Sequence, residues 1–413
     1  MEYGLLGEKL SHSFSPQIHG LLADYDYRLV SLPPEQLSAF LQEKDFLGLN
    51  VTIPYKKAVI PYLNELSPIA RRIGAVNTIA NRGGKLYGDN TDYAGLRHAI
   101  HRAGIALVDR KVLILGSGGT SRTAQAVAED LGAREIVVIS RAGEHHYGNL
   151  ARHADAEVIL NTTPVGMFPN NGAAPLSLAQ FPNLTGVVDV VYNPLKTALL
   201  LEAEALGLPF VNGLPMLVAQ AKAACEIFLQ KQIPEKRTEQ ILKILQAQLR
   251  SIAFIGMPGS GKTTLGQLLA QKLGREFIDS DDVIAASAGK TVPEIFAEEG
   301  EAGFRARERA ALCALTKRPG IVLSVGGGAI LAEENRRALR QNAAVVLLRR
   351  NLENLPLEGR PLSKSPEALR QLYEVRMPLY QATCDFVVDN DGAPEQTLEQ
   401  ILSYLSIETE ETR

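Results

Sequence analysis

The sequence predicts an α/β protein with mainly parallel strands, on three observations. Short β-branched runs alternate with amphipathic stretches from end to end, as strands covered by helices on both faces require. Two glycine-rich strand–loop–helix signatures occur, Gly116-Ser117-Gly118-Gly119-Thr120-Ser121 and Gly256-Met257-Pro258-Gly259-Ser260-Gly261-Lys262-Thr263. At 413 residues the chain also exceeds one ordinary core, so two or three domains are expected.

Taken in order, the predicted strands of the first part are Val112–Leu115, Ile136–Ile139, Val158–Leu160 and Val187–Val190. Those of the last third are Ile252–Ile255, Ile321–Val325 and Val345–Leu348. Helices are predicted at Thr123–Leu131 and Leu265–Leu273, each following a glycine loop. The stretch Leu229–Arg250 carries Ile241, Leu242, Leu245 and Leu249 as one apolar stripe, with Pro234 expected to interrupt it. A new strand–loop–helix unit begins at Ser251, which places the main boundary there. The polar tail Glu408–Arg413 is expected to fray, and the two glycine loops differ too much to be an internal repeat.

Composition removes several function classes. A net charge of −3 gives no reason to expect nucleic acid or a membrane surface as partner. The N-terminus lacks the basic and apolar regions of a signal peptide, and no run is long enough to cross a bilayer. Cys225, Cys313 and Cys384 lie far apart without metal-ligand spacing, and are expected to be buried, reduced thiols of a cytoplasmic protein.

The first loop suits a dinucleotide. Glycines at 116, 118 and 119 permit a tight turn and let backbone N–H groups, with Ser117 and Thr120, approach a pyrophosphate at the helix N-terminus. Ser121 stands where a third glycine is usual. The next strand ends in Ser140-Arg141, where an NAD site would place an acidic residue on the ribose. A hydroxyl and a guanidinium there fit the 2′-phosphate of NADP(H), although Glu144 opposes that reading and Arg141 can equally be a solvated arginine.

Six segments around this loop occur in an unbroken order. They are Ser11-His12-Ser13-Phe14-Ser15-Pro16, Asn50-Val51-Thr52-Ile53-Pro54-Tyr55-Lys56, Gly74-Ala75-Val76-Asn77-Thr78, Gly88-Asp89-Asn90-Thr91-Asp92, Asn161-Thr162-Thr163-Pro164-Val165-Gly166-Met167 and Met216-Leu217-Val218-Ala219-Gln220-Ala221. Together they closely resemble shikimate dehydrogenase from Tyr3 to about Phe228. The resemblance implies Lys56 and Asp92 as catalytic residues. Ketone reduction needs hydride at carbon and a proton at oxygen, which a lysine paired with an aspartate can provide. It further implies that Ser13 and Ser15 bind the substrate carboxylate, that Thr52, Asn77, Asp92 and Gln220 hold ring hydroxyls, and that Tyr192 closes over the ring. Gly213 is a further candidate on the cofactor side. Singly, Ser13 and Ser15 read as turn or capping residues before Pro16. The connection Ala142–Glu157 is shorter and less basic than in many relatives, which bears on 2′-phosphate affinity.

The second loop is a P-loop. Gly256, Gly259, Ser260 and Gly261 shape a cradle of amides for ATP, Lys262 neutralises phosphate charge, and Thr263 and Thr264 open the helix, with Thr263 able to ligate Mg²⁺. Downstream, Phe277-Ile278-Asp279-Ser280-Asp281, Gly303-Phe304-Arg305-Ala306-Arg307-Glu308, Gly326-Gly327-Gly328, Arg360-Pro361-Leu362 and Arg376-Met377-Pro378-Leu379-Tyr380 resemble shikimate kinase over about Ser251 to Leu405. The resemblance implies Asp279 beside Mg²⁺, Asp281 as acceptor from the attacking hydroxyl, and Arg305 and Arg376 on the carboxylate, which guanidinium grips bidentately. Gly327 and Gly328 are implied beside the ring, and Arg360 on a lid. Bland alternatives are capping carboxylates for Asp279 and Asp281 and a solvated helix face for Arg305 and Arg307. Ala285 replaces a glutamate found in many relatives, and Pro356 lies in a short lid stretch.

The two resemblances meet at one compound. The implied function is NADPH-dependent reduction of 3-dehydroshikimate to shikimate, then phosphorylation of shikimate to shikimate 3-phosphate. A quinate-using dehydrogenase joined to a related kinase, or one regulatory half, are the alternatives. The implied domains are a substrate-binding domain at 1–98 joined by a helix near 213–232, a Rossmann-like domain at 99–212, a linker helix at 233–250 and a P-loop kinase domain at 251–407.

Overall fold

The computed structural model describes residues 2–10, 13–355 and 365–405. Three sheets organise them. The first contains β1 (Tyr3–Gly7), β2 (Tyr27–Ser31), β3 (Gly48–Val51), β4 (Glu65–Leu66), β5 (Thr78–Arg82) and β6 (Lys85–Asp89), in the order β2-β1-β3-β5-β6-β4. It is mixed: β1 pairs in parallel with β2 and β3, whereas β5 is antiparallel to both β3 and β6. Mainly parallel pairing, as expected, still holds here, since β4 also pairs in parallel with β6; the two antiparallel pairings flank β5, where Gly83-Gly84 supplies the positive-φ turn of a β5–β6 hairpin.

The second sheet is wholly parallel: β7 (Lys111–Leu115), β8 (Glu135–Ile139), β9 (Val158–Asn161), β10 (Gly186–Asp189) and β11 (Phe210–Val211), ordered β11-β10-β9-β7-β8. The chain reverses its direction of growth between β7 and β9, and ligand crevices form outside the strand C-termini at such a point. The third sheet, also parallel, contains β12 (Ser251–Ile255), β13 (Phe277–Asp279), β14 (Val322–Ser324), β15 (Ala343–Arg349) and β16 (Phe386–Asp389), ordered β13-β14-β12-β15-β16. Every residue of β7 and of β12 is buried, which is why both read as continuous apolar runs rather than alternating ones.

The chain divides into two compact units. One comprises Met1–Met167, Ala173–Tyr192 and Glu202–Ile244, and the other Phe168–Gly172, Asn193–Leu201 and Leu245–Arg413. The division falls inside the helix Glu235–Leu249, whose Ile241, Leu242, Leu245 and Leu249 are buried as the stripe requires. The preceding helix, Leu214–Leu229, stops before Pro234, so the interrupted stretch is two helices. Within the first unit, Leu214–Leu229 packs on Asp92–Arg102. Gly95 permits the approach: a Cβ there would lie 2.5 Å from the Met216 carbonyl oxygen.

The thiols depart from expectation. Only Cys225 is buried, while Cys313 is exposed on the surface of the helix Val292–Leu315 and Cys384 is intermediate, at the C-terminal cap of the helix Pro366–Thr383. Among the described residues no helix is long and apolar enough to cross a membrane.

Candidate active sites

The first unit contains a cavity of about 410 Å³ lined by Ser13, Ser15, Thr52, Lys56, Asn77, Asp92, Thr120, Tyr192, Gly213 and Gln220, among others. It thus brings together all eight side chains expected around the substrate, from six separate stretches of chain. The strand β3 leads into the turn holding Lys56, and Asp92 opens the helix Asp92–Arg102. Lys56 Nζ lies 2.6 Å from Asp92 Oδ2, with both side chains partly exposed to the cavity. The other carboxylate oxygen accepts from Asn77 Nδ2 at 2.9 Å.

The Asn77 amide has one possible orientation. Its Oδ1 accepts from the Thr91 amide at 2.7 Å and from the hydroxyls of Thr78 and Thr91 at 3.0 and 3.1 Å. The Nδ2 group is therefore aimed at Asp92, with one hydrogen remaining. Asp92 can only accept, and Lys56 retains two donors. A hydroxyl and a carbonyl oxygen in this cavity would meet acceptor and donors already in place. Ser13 donates to Ser15 across 3.1 Å and accepts from the Ser15 amide at 3.2 Å, so both hydroxyls sit at the head of the helix Ser15–Leu22.

The dinucleotide loop leaves β7 at Gly116, whose φ of 100° excludes most side chains. Gly118 precedes the helix Gly119–Asp130, and a Cβ at either Gly118 or Gly119 would meet nothing within 4 Å. That open surface at a helix N-terminus is what a pyrophosphate needs. Ser121 is fully buried and takes Gln125 as partner, so it packs the helix onto the sheet where a glycine would otherwise. At the end of β8 the Ser140 hydroxyl donates to the Ala142 carbonyl. Arg141 is exposed there.

The second unit contains a cavity of about 370 Å³ lined by Lys262, Thr263, Asp279, Asp281, Arg305, Gly326, Gly327, Gly328 and Arg376, among others. It lies outside the C-terminal ends of β12, β13 and β14. The P-loop glycines 256, 259 and 261 have φ of 144°, 83° and 96°. Side chains engage the loop's carbonyls: Lys262 Nζ those of Gly256 and Met257 at 3.1 and 3.0 Å, and Asn390 Nδ2 that of Ser260 at 2.8 Å. Tyr380 Oη reaches the Gly256 carbonyl at 2.9 Å and that of Gly327 at 2.5 Å. Thr264 lies exposed in the first turn of the helix Lys262–Leu273.

Thr263 Oγ1 donates to Asp279 Oδ2 at 2.9 Å, while Asp279 Oδ1 caps the helix Ser280–Ala288 through the Asp281 amide at 3.0 Å. Asp279 is thus both a capping carboxylate and a member of the cavity wall. Burial, then the charge of Asp279, pushes the Asp281 carboxyl up, with Lys262 and Arg305 pulling it back. Arg305 is not a solvated side chain. Its Nη1 contacts both oxygens of Glu308 at 3.0 and 2.8 Å, its Nη2 reaches Glu301 at 3.2 Å, and Glu308 is 1% exposed. Arg376 is 3% exposed, and its Nε has no partner among the described residues. Arg307 pairs with Glu299 at 2.8 Å on the surface. Arg360, the expected lid residue, lies outside the described residues, as does Pro356.

Three contributors were not singled out from the sequence. Glu308 follows Arg305 at i+3, a spacing that places them on one helix face and could have been read. Asn50, within a quoted motif, lines the first cavity. Asn390 lies 130 residues from the loop it supports, and no local signal marks it.

Comparison with known proteins places both halves of the chain in known families. Residues 5–79 match the model of the shikimate dehydrogenase substrate binding domain, and residues 258–406 match that of shikimate kinase. A shikimate dehydrogenase (NADP(+)) of Clostridium perfringens is 36% identical over 267 residues, covering 60% of this chain and 98% of that one. Among solved structures, a chorismate mutase/shikimate 5-dehydrogenase fusion protein from Clostridium acetobutylicum aligns with TM-score 0.57 and 36% identity, over 59% of this chain and 97% of that chain. Shikimate 5-dehydrogenase from Thermus thermophilus, in complex with NADP(H) and shikimate, aligns with TM-score 0.54 and 32% identity over 59% and 99%. The chain therefore belongs to the shikimate dehydrogenase family and carries a shikimate kinase domain at its C-terminal end, a bifunctional enzyme of the shikimate pathway.

Proposed function

We propose that the first cavity reduces 3-dehydroshikimate to shikimate and that the second phosphorylates the 3-hydroxyl of shikimate. The observation carrying this reading is the Lys56–Asp92–Asn77 constellation, which aims donors and an acceptor at one point of the first cavity. NADPH supplies hydride to the carbonyl carbon. Lys56 gives a proton to the carbonyl oxygen, Asp92 orients Lys56 and accepts from a neighbouring hydroxyl, and Asn77 fixes Asp92. Ser13 and Ser15 donate to the carboxylate, Thr52 and Gln220 hold ring hydroxyls, and Tyr192 covers the ring. Loop 116–121 and Gly213 receive the dinucleotide, with Arg141 on its 2′-phosphate.

In the second cavity ATP supplies the phosphoryl group. Lys262 and the P-loop amides hold its phosphates. Asp281 accepts from the attacking hydroxyl, and Arg305 and Arg376 hold the substrate carboxylate. Thr263 and Asp279 present adjacent hard oxygen atoms, a donor pair suited to Mg²⁺, which relies on phosphate and water for its remaining ligands. Among the described residues no group of three or more His, Cys, Asp or Glu forms a separate metal site. We take residues 1–98, 99–212, 233–250 and 251–407 as the functional divisions. Cytoplasmic pools of both nucleotides complete the reading.

The test supplies 3-dehydroshikimate, NADPH, ATP and Mg²⁺ together and identifies the product by mass. Shikimate 3-phosphate is expected, with the reaction stopping at shikimate when ATP is omitted. Absence of shikimate 3-phosphate with all components present refutes the proposal.

A further inference from the structure

Behind the first cavity, a row of hydrogen bonds all point one way. The Tyr27 hydroxyl, on edge strand β2, lies 2.8 Å from Asn50 Oδ1. Asn50 Nδ2 faces the Thr78 hydroxyl at 3.3 Å and the backbone carbonyl of Asn77 at 3.4 Å. A carbonyl can only accept, so the amide nitrogen of Asn50 must face it and the oxygen must face Tyr27. The Asn50 oxygen then accepts from the phenol. Thr78, accepting from Asn50, sends its own proton to Asn77 Oδ1, either directly at 3.0 Å or through the Thr91 hydroxyl, itself 3.0 Å away. Asn77 Nδ2 donates in turn to Asp92, the partner of Lys56.

We infer that Tyr27 is a positioning residue for the Lys56–Asp92 pair, acting through Asn50, Thr78 and Asn77 as the head of an oriented donor chain. The inference rests on the dehydrogenase reading of this cavity. Tyr27 is not among the residues lining the cavity, whereas Asn50 is. Desolvation raises the Tyr27 phenol above the usual tyrosine range, which keeps it a donor at every working pH. Its ring is fixed by stacking on the fully buried His19, with centroids 4.0 Å apart and planes 9° from parallel. Each bond in such a row polarises the next. With the phenolic hydrogen removed, the Asn50 oxygen loses its donor and the amide can turn over. Thr78 would then donate backward to Asn50, and Asn77 would lose a bond that holds it against Asp92.

The experiment measures kcat and KM for 3-dehydroshikimate and NADPH in the full chain, alongside its kinase rate. Tyr27→Phe keeps the stacked ring and is expected to lower kcat for reduction roughly five- to tenfold, the loss of one hydrogen bond's alignment. KM for NADPH and the kinase rate stay within twofold. Asn50→Ala costs at least as much, and the double variant is no slower than Asn50→Ala alone, because the two residues act in one line. Tyr25→Phe is the control for general loosening: it removes a phenol from the same cluster, 2.6 Å from His19 Nδ1, and leaves the Tyr27–Asn50 bond itself intact. It is expected to leave kcat near wild type. An unchanged kcat in Tyr27→Phe, multiplicative losses in the double variant, or an equal loss in Tyr25→Phe overturns the inference. A wild-type chain that does not reduce 3-dehydroshikimate refutes instead the reading on which it rests.

Discussion

Gly328→Ala isolates the placement of one guanidinium. Gly328 has φ −101° and ψ −4°, which alanine adopts freely, so no backbone strain enters. The added Cβ would stand 2.1 Å from Arg305 Nη2 and 2.5 Å from its Cζ. Ordinary contact begins near 3.4 Å, so the guanidinium must retreat by about 1.3 Å. It cannot retreat freely, because Glu308 and Glu301 hold it from the other side. Stability should change by only about 1–2 kcal/mol, the scale of a tolerable overpacking relieved by a side chain. Substrate alignment is more sensitive: a displacement of about 1 Å can cost on the order of 10²-fold in rate. Kinase kcat/KM for shikimate should therefore fall about 10²-fold, while reduction of 3-dehydroshikimate by the same chain stays at the wild-type rate. Kinase assays with varied shikimate at saturating ATP, together with thermal unfolding, decide the matter. A variant with wild-type kcat/KM for shikimate would show that Arg305 does not hold the substrate in this position.

Other outcomes follow from the same geometry. Lys56→Ala should abolish reduction and spare phosphorylation, and Lys262→Ala the reverse, in parallel assays; joint loss in either variant counts against independent sites. In the proposed phosphoryl transfer Asp281 accepts as its ionised form and its carboxyl is raised by burial, so the kinase rate should be lost on acidification above the ordinary aspartate value of about 3.9. A kcat profile flat down to that pH contradicts this. Desolvation lowers His19 to about 3, so the unfolded chain binds the extra proton between about pH 6.5 and 3. Stability contributed by the neutral ring is fully present above 6.5 and drains away as pH falls, by about 1.4 kcal/mol per pH unit. Urea titrations of wild type and His19→Gln across pH 7 to 5 should show a shallower slope in the variant.

Much of this molecule was legible because its strands are buried on both faces. Val112–Leu115 and Ile252–Ile255 announce themselves as apolar runs ended by glycine, and their loops follow directly. The first sheet was less legible. Its strands β2 and β5 are partly exposed and mix polar with apolar residues, and the hairpin at Gly83-Gly84 reverses the chain where an α/β pattern suggests a crossover. Site residues carried by motifs were nameable, yet their supports were not. Gly327 and Gly328 were expected beside the ring, but a Cβ at Gly328 would strike Arg305 Nη2 at 2.1 Å, and one at the neighbouring Gly326 would strike Asp281 Oδ1 at 2.7 Å. Their small size makes room for the charged groups as well as for a ligand. Such reasons depend on pairings distant in the chain, and no window of sequence contains them.

One phenol bridges the two sides of the kinase cavity. Tyr380 touches the carbonyl that begins the triphosphate cradle and also the carbonyl of Gly327, in the turn after β14. Having a single proton, it must share it between them, so neither loop can swing outward without weakening a bond to the other. Donor and acceptor in the phosphoryl transfer would then be spaced by a common strut, much as jaws are spaced by the rivet they share. The gap between the reacting oxygen and phosphorus would then be built into the fold, ahead of either substrate's arrival.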